Sequence, residues 1–247
     1  MRAVILAGGL GTRLRPYTTV IPKPLVPVGD RPVLEHIVRS LHAAGVRRID
    51  LCVSHLGELI RVYLSQLELA REIDFSFHWE EEPLGTAGAL AIAPDLKGTF
   101  IVMNGDILTS RLSYRSLADF HLERDAALTV AMHSKTVNVD LGVIEASDGF
   151  VTGYRDKPTL RYDVSMGIYV YDARALRHLP RGPFQFPDFV LRLIDAGERV
   201  AAYRAADADW YDIGTFAEYE RAAREFERAP EHFDPDGWVG SYVASSS

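Results

Sequence analysis

The chain has 247 residues, of which 47% are hydrophobic and 25% charged, and this composition is that of a globular protein able to bury a full core. Its net charge of −7 argues against a general nucleic-acid binder, and no apolar run approaches the roughly 20 residues that span a bilayer. The single cysteine, Cys52, excludes an internal disulfide and a cysteine-based zinc site, and is typical of a reducing cytoplasm.

Short β-branched runs alternate along the chain with longer amphipathic stretches, which is the pattern of βαβ units. The first helix opens at Pro32 and has Gly45 as its stop, and the last helix opens with a capping box of Thr215 and Glu218. The predicted strands cover 2–7, 48–54, 73–79, 99–103, 127–132, 141–146, 150–155, 164–171 and 199–204. The predicted helices cover 32–45, 56–70, 86–92, 113–124, 186–196 and 215–228.

These elements predict one α/β domain over residues 1–229, with a Rossmann-like three-layer α/β/α architecture and a mixed, mostly parallel central sheet. Between about 127 and 171 the strands follow one another without helices, which predicts a small antiparallel part or an added ribbon. Residues 230–247 form a short C-terminal tail without clear periodicity. Two alternatives stay open for it: disorder, or a course across the domain through Phe233, Trp238 and Tyr242.

Three glycines, Gly8, Gly9 and Gly11, follow the first predicted strand. Glycine lets main-chain N–H groups approach a phosphate without a Cβ in the way, and it tolerates positive φ. Arg13 adds a fork-shaped donor for phosphate oxygens, and Lys23 adds a second positive charge. The glycines alone are equally compatible with a plain turn, so the basic residues decide in favour of a phosphate loop.

This glycine run differs from two common phosphate-binding loops. It is not a Walker A loop, because no Gly-Lys-Ser/Thr ends it, and Leu14 stands where the dinucleotide fingerprint has its third glycine. Four prolines are expected to keep the following segment extended, so that it wraps a phosphate as a long loop. These prolines are Pro16, Pro22, Pro24 and Pro27.

The run from Leu6 to Pro16, followed by Pro22-Lys23-Pro24-Leu25, closely resembles the sugar-1-phosphate nucleotidylyltransferases, also called nucleotide-sugar pyrophosphorylases. The resemblance extends to about residue 228. It implies a transferase that condenses a nucleoside triphosphate with a sugar 1-phosphate to give an NDP-sugar and pyrophosphate, with Arg13, Lys23 and Asp106 as catalytic residues. The nucleotide-binding residues implied in this part of the chain are Leu6, Ala7, Gly8, Gly9, Gly11, Thr12, Arg13 and Lys23.

Two aspartates stand at positions suited to a metal. Asp106 follows the predicted strand 99–103, and Asp212 precedes the last helix. Alone, each is more often a cap or turn residue than a metal ligand, but the resemblance implies that the two bind one metal together. Mg²⁺ is the expected cofactor, because it binds a few carboxylates and substrate phosphates. The attacking phosphate is already ionised near neutral pH, so no histidine base is expected.

The segment from Glu82 to Leu90 opens with turn residues and continues into a predicted helix. Its small residues leave room for a flat base, although a plain helix N-terminus capped by Thr86 is the alternative. In the resembled family this segment belongs to the nucleobase pocket. Its form here looks like that of guanylyltransferases for mannose and heptose 1-phosphates, which favours GTP and leaves a uridylyl- or thymidylyltransferase as the alternative. The base-binding residues implied are Pro83, Gly85, Thr86, Ala87 and Gly88.

The sugar-binding part is expected in the antiparallel region and beside Asn104. Lys157 can hold the sugar phosphate, and Glu145 can accept hydrogen bonds from hydroxyls or serve as an ordinary strand residue. Asp156 departs from the Glu-Lys-Pro usual in the family and is one methylene shorter, which leaves room for a heptose, a deoxysugar or a cyclitol in place of mannose or glucose. The sugar-binding residues implied are Asn104, Gly142, Glu145, Asp156, Lys157, Ser165 and Gly167.

Two rival classes remain. A catalytically silent regulatory homologue that binds nucleotide sugars would normally lose a basic or acidic site residue, and this chain keeps Arg13, Lys23, Asp106 and Asp212. A glycosyltransferase of similar fold would show Asp-x-Asp where this chain has Asn-Gly-Asp. The expected partners are a nucleoside triphosphate and a sugar 1-phosphate, in the cytoplasm and without nucleic acid or membrane, and a homo-oligomer stays open.

Overall fold

The computed structural model describes residues 1–9 and 11–233. Its strands are β1 (Arg2–Ala7), β2 (Pro27–Val28), β3 (Arg31–Pro32), β4 (Arg48–Val53), β5 (Asp74–Trp79), β6 (Thr99–Asn104), β7 (Ile107–Ser110), β8 (Leu128–Asn138), β9 (Val143–Ser147), β10 (Phe150–Arg155), β11 (Thr159–Asp172), β12 (Val200–Arg204) and β13 (Asp209–Asp212). Its α-helices are α1 (Val33–Ala43), α2 (Gly57–Ser65), α3 (Gly85–Gly88), α4 (Tyr114–Glu123), α5 (Phe186–Asp195) and α6 (Phe216–Arg228). None of these helices is long and apolar enough to cross a bilayer.

The central sheet has seven strands in the order β12-β8-β11-β6-β1-β4-β5. Six of them run parallel, and β11 runs antiparallel to both of its neighbours, β6 and β8. Three two-stranded antiparallel sheets are attached to it: β9 with β10, β7 with β13, and β2 with β3. The predicted mixed, mostly parallel sheet with an antiparallel part is therefore confirmed.

Side chains alternate between the two faces of β1, and each face has its own buried cluster. Ala3 and Ile5 pack with α1, α2, α4 and α6, whereas Val4 packs with α3 and α5 on the other face. A parallel sheet covered on both faces requires continuously apolar strands, which is why residues 3–7 carry no polar side chain. Helices on both faces of the sheet give the three layers that the sequence predicts.

The predicted lengths of two strands, β8 and β11, need correction. The strands predicted at 127–132 and 164–171 are too short, because β8 and β11 continue past the sheet and pair from Ser165 with Met132 to Thr159 with Asn138. We call this extension, together with β9 and β10, the arm (residues 133–165). The arm is mostly exposed, so the continuous apolar run that marks a strand inside this sheet is absent there.

The proline-containing segment after the glycines is folded into turns, so the expectation that it stays extended was wrong. It forms three short 3₁₀ turns, Thr12–Leu14, Tyr17–Thr19 and Lys23–Leu25, followed by the small β2–β3 hairpin. Proline fixes φ near the value that 3₁₀ turns also use, which allows this course. The predicted helix 56–70 also ends early, at Ser65. The predicted helix 86–92 is helical, as the short α3 followed directly by a 3₁₀ helix over Ala89–Ile92.

Two predicted helix ends are confirmed. Gly45 follows α1 with φ +90°, and the Thr215 hydroxyl accepts a hydrogen bond from the Glu218 N–H at 3.3 Å. The part of the tail that is described, up to Phe233, packs on the domain, since the Phe233 ring is 3% exposed and contacts Phe226. Trp238 and Tyr242 lie outside the described residues.

We expect Gly29→Ala to destabilise the protein more than Gly98→Ala. Both glycines have positive φ, +68° and +60°, but a Cβ at Gly29 would lie 2.1 Å from the Phe226 ring, whereas a Cβ at Gly98 has no neighbour within 4 Å. Gly98→Ala therefore reports the backbone cost of about 1–2 kcal/mol, and Gly29→Ala adds a packing cost of about 1–3 kcal/mol. Urea unfolding of both variants measures this difference, and equal losses would contradict it.

Candidate functional site

The glycine loop leaves β1 at the carboxyl edge of the sheet, where open α/β sheets collect ligand groups. A Cβ at Gly8 would lie 2.4 Å from the Glu80 carboxylate, so a larger residue there would require the Glu80 side chain to move. A Cβ at Gly9 would have no neighbour within 4 Å, so the main chain of Gly9 faces open space. Gly11 has φ +59°, and its carbonyl accepts a hydrogen bond from the Thr18 hydroxyl at 2.7 Å. Leu10 lies outside the described residues.

The two aspartates meet because β7 pairs with β13. This pairing places Asp212 opposite Ile107, and the Ile213 N–H donates to the Asp106 carbonyl at 3.0 Å. Trp210 fixes β13 further, since its indole N–H donates to the Met166 carbonyl at 2.9 Å. Two segments that are about a hundred residues apart in the sequence thus present their carboxylates at one point.

Lys23 lies between these carboxylates. Its ammonium is hydrogen-bonded to the Asp106 carboxylate and lies 3.7 Å from Asp212 Oδ1, and the Lys23 side chain is 9% exposed. The Pro24 ring lies beside Gly105, which holds this turn against the end of β6. Burial raises the pKa of Asp212, the nearby charge of Asp106 raises it further, and Lys23 with Arg13 opposes both effects.

Arg13 lies on the solvent side of this cluster. Its guanidinium packs over the main chain of Gly214, where a Cβ would lie 3.1 Å from Arg13 Nη2. The Arg13 side chain is exposed, as is Thr12 next to it. A guanidinium that is open to solvent and lies beside a buried ammonium gives the site two positive charges directed toward one small volume.

A cavity of about 270 Å³ opens between the glycine loop and the segment after β5. It brings together predicted nucleotide-binding residues, the predicted catalytic Asp106 and the predicted sugar-binding Asn104. Its lining residues are Leu6, Gly8, Gly9, Glu80, Pro83, Gly85, Thr86, Ala89, Asn104, Asp106 and Gln185. The other predicted nucleotide-binding residues, Ala7, Gly11, Thr12, Arg13, Lys23, Ala87 and Gly88, do not line it.

Ala87 and Gly88 are buried against a distant segment, residues 182–185. Their N–H groups donate to the Phe184 carbonyl at 3.1 and 3.0 Å, and a Cβ at Gly88 would lie 2.8 Å from the Gly182 carbonyl. The small residues of this run therefore permit a close main-chain contact that positions residues 83–86 at the cavity.

Thr86 joins the same two segments. Its hydroxyl accepts a hydrogen bond from the Phe186 N–H at 2.9 Å and lies 3.4 Å from Gln185 Oε1. Thr86 therefore caps α5 and not its own helix, which the sequence could not indicate because the partner lies a hundred residues later.

Three cavity residues, Glu80, Ala89 and Gln185, were not among the predicted site residues. Glu80 Oε2 accepts a hydrogen bond from the Leu84 N–H at 3.0 Å, which shapes the turn before α3. The only sequence signal for Glu80 is its place at the start of three consecutive acidic residues, and Gln185 stands in an ordinary loop before a helix. Both belong to the site through folding alone.

The predicted sugar-binding residues divide into two groups. Asn104, Ser165 and Gly167 lie together at the irregularity in the β8–β11 pairing, where a Cβ at Gly167 would lie 2.7 Å from Asn104 Nδ2. Gly142, Glu145, Asp156 and Lys157 are exposed on the arm. There the Glu145 carboxylate lies 3.3 Å from the Arg155 guanidinium, and Lys157 has φ +42°.

Comparison with known proteins identifies similar sequences and folds. The profile of the nucleotidyl transferase family matches residues 2–229. A mannose-1-phosphate guanylyltransferase catalytic subunit beta from Danio rerio is 32% identical over 222 residues, covering 87% of this chain and 61% of the relative. Mannose-1-phosphate guanylyltransferase 1 from Arabidopsis thaliana is 32% identical over 228 residues, covering 89% of this chain and 63% of the relative. The chain thus spans about three fifths of the length of these curated relatives.

Solved structures show the same fold. The crystal structure of HddC from Yersinia pseudotuberculosis superimposes with a TM-score of 0.71 at 29% identity, covering 91% of this chain and 99% of that one. HddC complexed with GMP-PN superimposes with a TM-score of 0.70 at 28% identity.

We expect Lys23→Met to lower the free energy of unfolding by about 1–3 kcal/mol in the absence of divalent metal, because Asp106 and Asp212 then face each other without the ammonium that lies between them. Combining it with Asp106→Asn removes one of the two charges, so the double variant loses less than the sum of the single losses. Urea unfolding measures this cycle. Lys97→Met, at a lysine that is 84% exposed, is the control and changes stability little. Strictly additive losses at Lys23 and Asp106 would contradict the coupling.

Proposed function

We propose that this chain, which belongs to the nucleotidyl transferase family, condenses a nucleoside triphosphate with a sugar 1-phosphate and releases pyrophosphate. The observation that supports this most is the convergence of Arg13, Lys23, Asp106 and Asp212 beside the glycine loop. GTP is the proposed nucleotide, because the relatives from Danio rerio and Arabidopsis thaliana are guanylyltransferases and the Pro83–Gly88 run has the form expected of such enzymes. UTP and dTTP are the alternatives within the family.

In the proposed reaction an oxygen of the sugar phosphate attacks the α-phosphorus of the nucleotide. One phosphorus–oxygen bond forms, the bond between the α-phosphorus and the bridging oxygen breaks, and pyrophosphate carries away the electron pair. Because the attacking oxygen is already ionised near neutral pH, the protein does not need to remove a proton. Its task is to align two polyanions and to neutralise their charge, and Arg13 with Lys23 supplies that charge.

The main chain of the loop is proposed to bind the triphosphate. Gly9 has open space on its Cβ side and Gly11 has a left-handed conformation, so a phosphate can approach their N–H groups closely. Arg13 is exposed beside Gly214 and can turn toward the phosphates without breaking a described ion pair.

A divalent metal ion fits the donor set of Asp106 and Asp212. Both offer carboxylate oxygens, and the ammonium of Lys23 between them shows that this point accepts positive charge. We propose that these two aspartates hold Mg²⁺, which when bound supplies further charge neutralisation to the phosphates. Lys23 then has its ammonium available for a phosphate oxygen.

Selection of the two substrates is assigned to different parts of the site. We propose that the base lies in the cavity between Gly8 and Gln185, against the turn at Pro83–Thr86. The sugar is proposed to lie beside Asn104 and Gly167, with the exposed arm residues Glu145, Asp156 and Lys157 contributing to its recognition. The cytoplasm is the proposed location, because the single cysteine, Cys52, is a free thiol, as is usual in a reducing compartment.

Pyrophosphate release from five nucleoside triphosphates against a set of sugar 1-phosphates tests the proposed activity. We expect GTP to react best, and Arg13→Ala and Asp106→Asn each to lower kcat/KM by about 100-fold or more, because each removes charge stabilisation at the phosphates. Arg192→Ala, at an exposed arginine of α5, is the control and leaves kcat/KM unchanged. If no nucleotide yields pyrophosphate while nucleotide sugars still bind, the chain is the silent regulatory homologue.

Asp156→Glu tests sugar selection. The longer side chain restores the reach of the acid that is usual at this position, so we expect kcat/KM for mannose 1-phosphate to rise by about 10-fold relative to the wild type, the value of one hydrogen bond to a hydroxyl. Asp195→Glu, at the end of α5, makes the same change away from the arm and is expected to have no effect. An unchanged sugar preference would exclude Asp156 from sugar recognition.

A further inference from the structure

Strand β5 ends the central sheet on one side, and within residues 1–9 and 11–233 no strand pairs with its outer edge. Its pairing with β4 is continuous, from Arg48 opposite Asp74 to Val53 opposite Trp79. The strand is therefore regular up to its end. Such an edge presents unused main-chain donors and acceptors to the solvent.

The free groups can be identified from the hydrogen bonds at the two ends of β5. The Asp74 N–H donates to the Arg47 carbonyl at 2.9 Å, and the Glu80 N–H donates to the Val53 carbonyl at 2.8 Å. Since N–H groups alternate in direction along a strand, the even-numbered residues face β4 and Phe75 and Phe77 direct their N–H and C=O groups outward.

The usual protections of an edge strand are missing from β5. Between Phe75 and Trp79 there is no proline, no lysine and no bulge, and the Asp74 carboxylate stands only at the start. His78, the one histidine within this stretch, is hydrogen-bonded to the buried Asp50 at 2.8 Å. Natural proteins that keep a sheet edge free of partners normally interrupt it with such features, so this edge is suited to pairing.

A groove of about 640 Å³ lies beside the same edge, at the end of the sheet opposite to the glycine loop. Phe75 and Phe77 line it, together with Arg47, Arg61 and Arg71. The Arg47 guanidinium donates to main-chain carbonyls of His42 and Val46, and no carboxylate of the described chain lies within 4 Å of the Arg71 guanidinium. Glu72 and Asp74 also line the groove, and Arg61 is paired with Glu58. Within the described chain, Arg47 and Arg71 are therefore the groove guanidiniums without a carboxylate partner, and they favour an acidic partner group.

Acidic side chains follow β5 directly. Glu81 and Glu82 are exposed, and neither forms an ion pair with a described residue. Arg71, which has no carboxylate partner within the described chain, thus lies near the start of this edge, and Glu81 and Glu82, which have no cationic partner there, lie near its end. An antiparallel strand brings the end of one copy alongside the start of the other, which makes this edge self-complementary.

We propose that two copies of this chain pair through β5 in an antiparallel, two-fold symmetric arrangement that joins the two sheets. With the axis at Ser76, Phe75 pairs with Phe77 of the partner subunit, and the symmetric pair repeats this contact, giving four main-chain hydrogen bonds. Arg71 precedes the start of β5 and Glu81 follows its end, so the antiparallel pairing brings Glu81 of one copy near Arg71 of the partner subunit. The side chains of Phe75 and Phe77 supply the apolar part of this interface, and one charge pair lies at each end of the paired strands.

Light scattering coupled to gel filtration, with sedimentation velocity over a concentration series, tests this proposal on the full chain. The wild type is expected to have twice the 27.5 kDa mass of one chain at micromolar concentration. Arg71→Glu and Glu81→Arg each place two pairs of like charges in the interface, so each is expected to raise the dimer Kd by about 10-fold or more. The double variant Arg71→Glu/Glu81→Arg restores the opposite charges and returns the Kd to within a few-fold of wild type. Arg192→Glu, the same charge change on α5, is the control and leaves the Kd unchanged.

Hydrogen exchange locates the contact. The amides of Phe75 and Phe77 are expected to exchange more slowly as the concentration of wild-type protein rises, and at a constant rate in Arg71→Glu. A wild type that stays monomeric at about 100 µM, a hundred-fold above the micromolar range expected for a specific pair, would overturn the proposal. A dimer whose exchange at residues 75–77 does not depend on concentration would overturn it as well. A double variant that associates no better than the single variants would overturn the proposed register.

Discussion

The interaction on which the rest of the candidate site depends is the contact of one ammonium, that of Lys23, with two carboxylates. Asp106 and Asp212 are held close by the pairing of β7 with β13, and burial already disfavours the charged form of Asp212. Two carboxylates that are held close together and are partly buried need a positive charge nearby to be stable in their ionised form. Lys23 supplies it, and thereby ties the loop after the glycines to the ends of two strands.

This tie explains the course of the chain between the glycines and the first helix. Three 3₁₀ turns bring Lys23 inward and leave Arg13 outside, so the two cations reach the same place from opposite sides. The Thr18 hydroxyl holds the carbonyl of Gly11, and Pro24 packs on Gly105. A loop anchored at these points needs little reorganisation to neutralise a polyanion, which is the main requirement of nucleotidyl transfer.

The small residues of the site serve packing as much as ligand access. Gly8 accommodates Glu80, and Gly88 accommodates the main chain of residues 182–184. These contacts place the turn at Pro83–Thr86 across the cavity from the glycine loop and let Thr86 cap α5. The arm, in contrast, is mostly exposed and continues outward from the sheet near the place where β8 and β11 lose their regular pairing. The residues proposed to bind the nucleotide thus lie at the end of the sheet, whereas about half of the residues proposed to bind the sugar lie on the arm.

The sequence by itself predicted the mostly parallel sheet and the local caps at Gly45 and Thr215, and its glycine run carried the family resemblance, because each depends on residues close together in the chain. It did not reveal the β7–β13 pairing, the inward course of Lys23, or the presence of Glu80 and Gln185 in the cavity. Those depend on contacts between distant residues, such as Lys23 with Asp106, 83 positions apart, and Thr86 with Gln185, 99 positions apart. Local periodicity carries no information about such distant partners. The resemblance implied that Asp106 and Asp212 share a metal, but only the tertiary structure decided which strand pairing and which lysine bring them together.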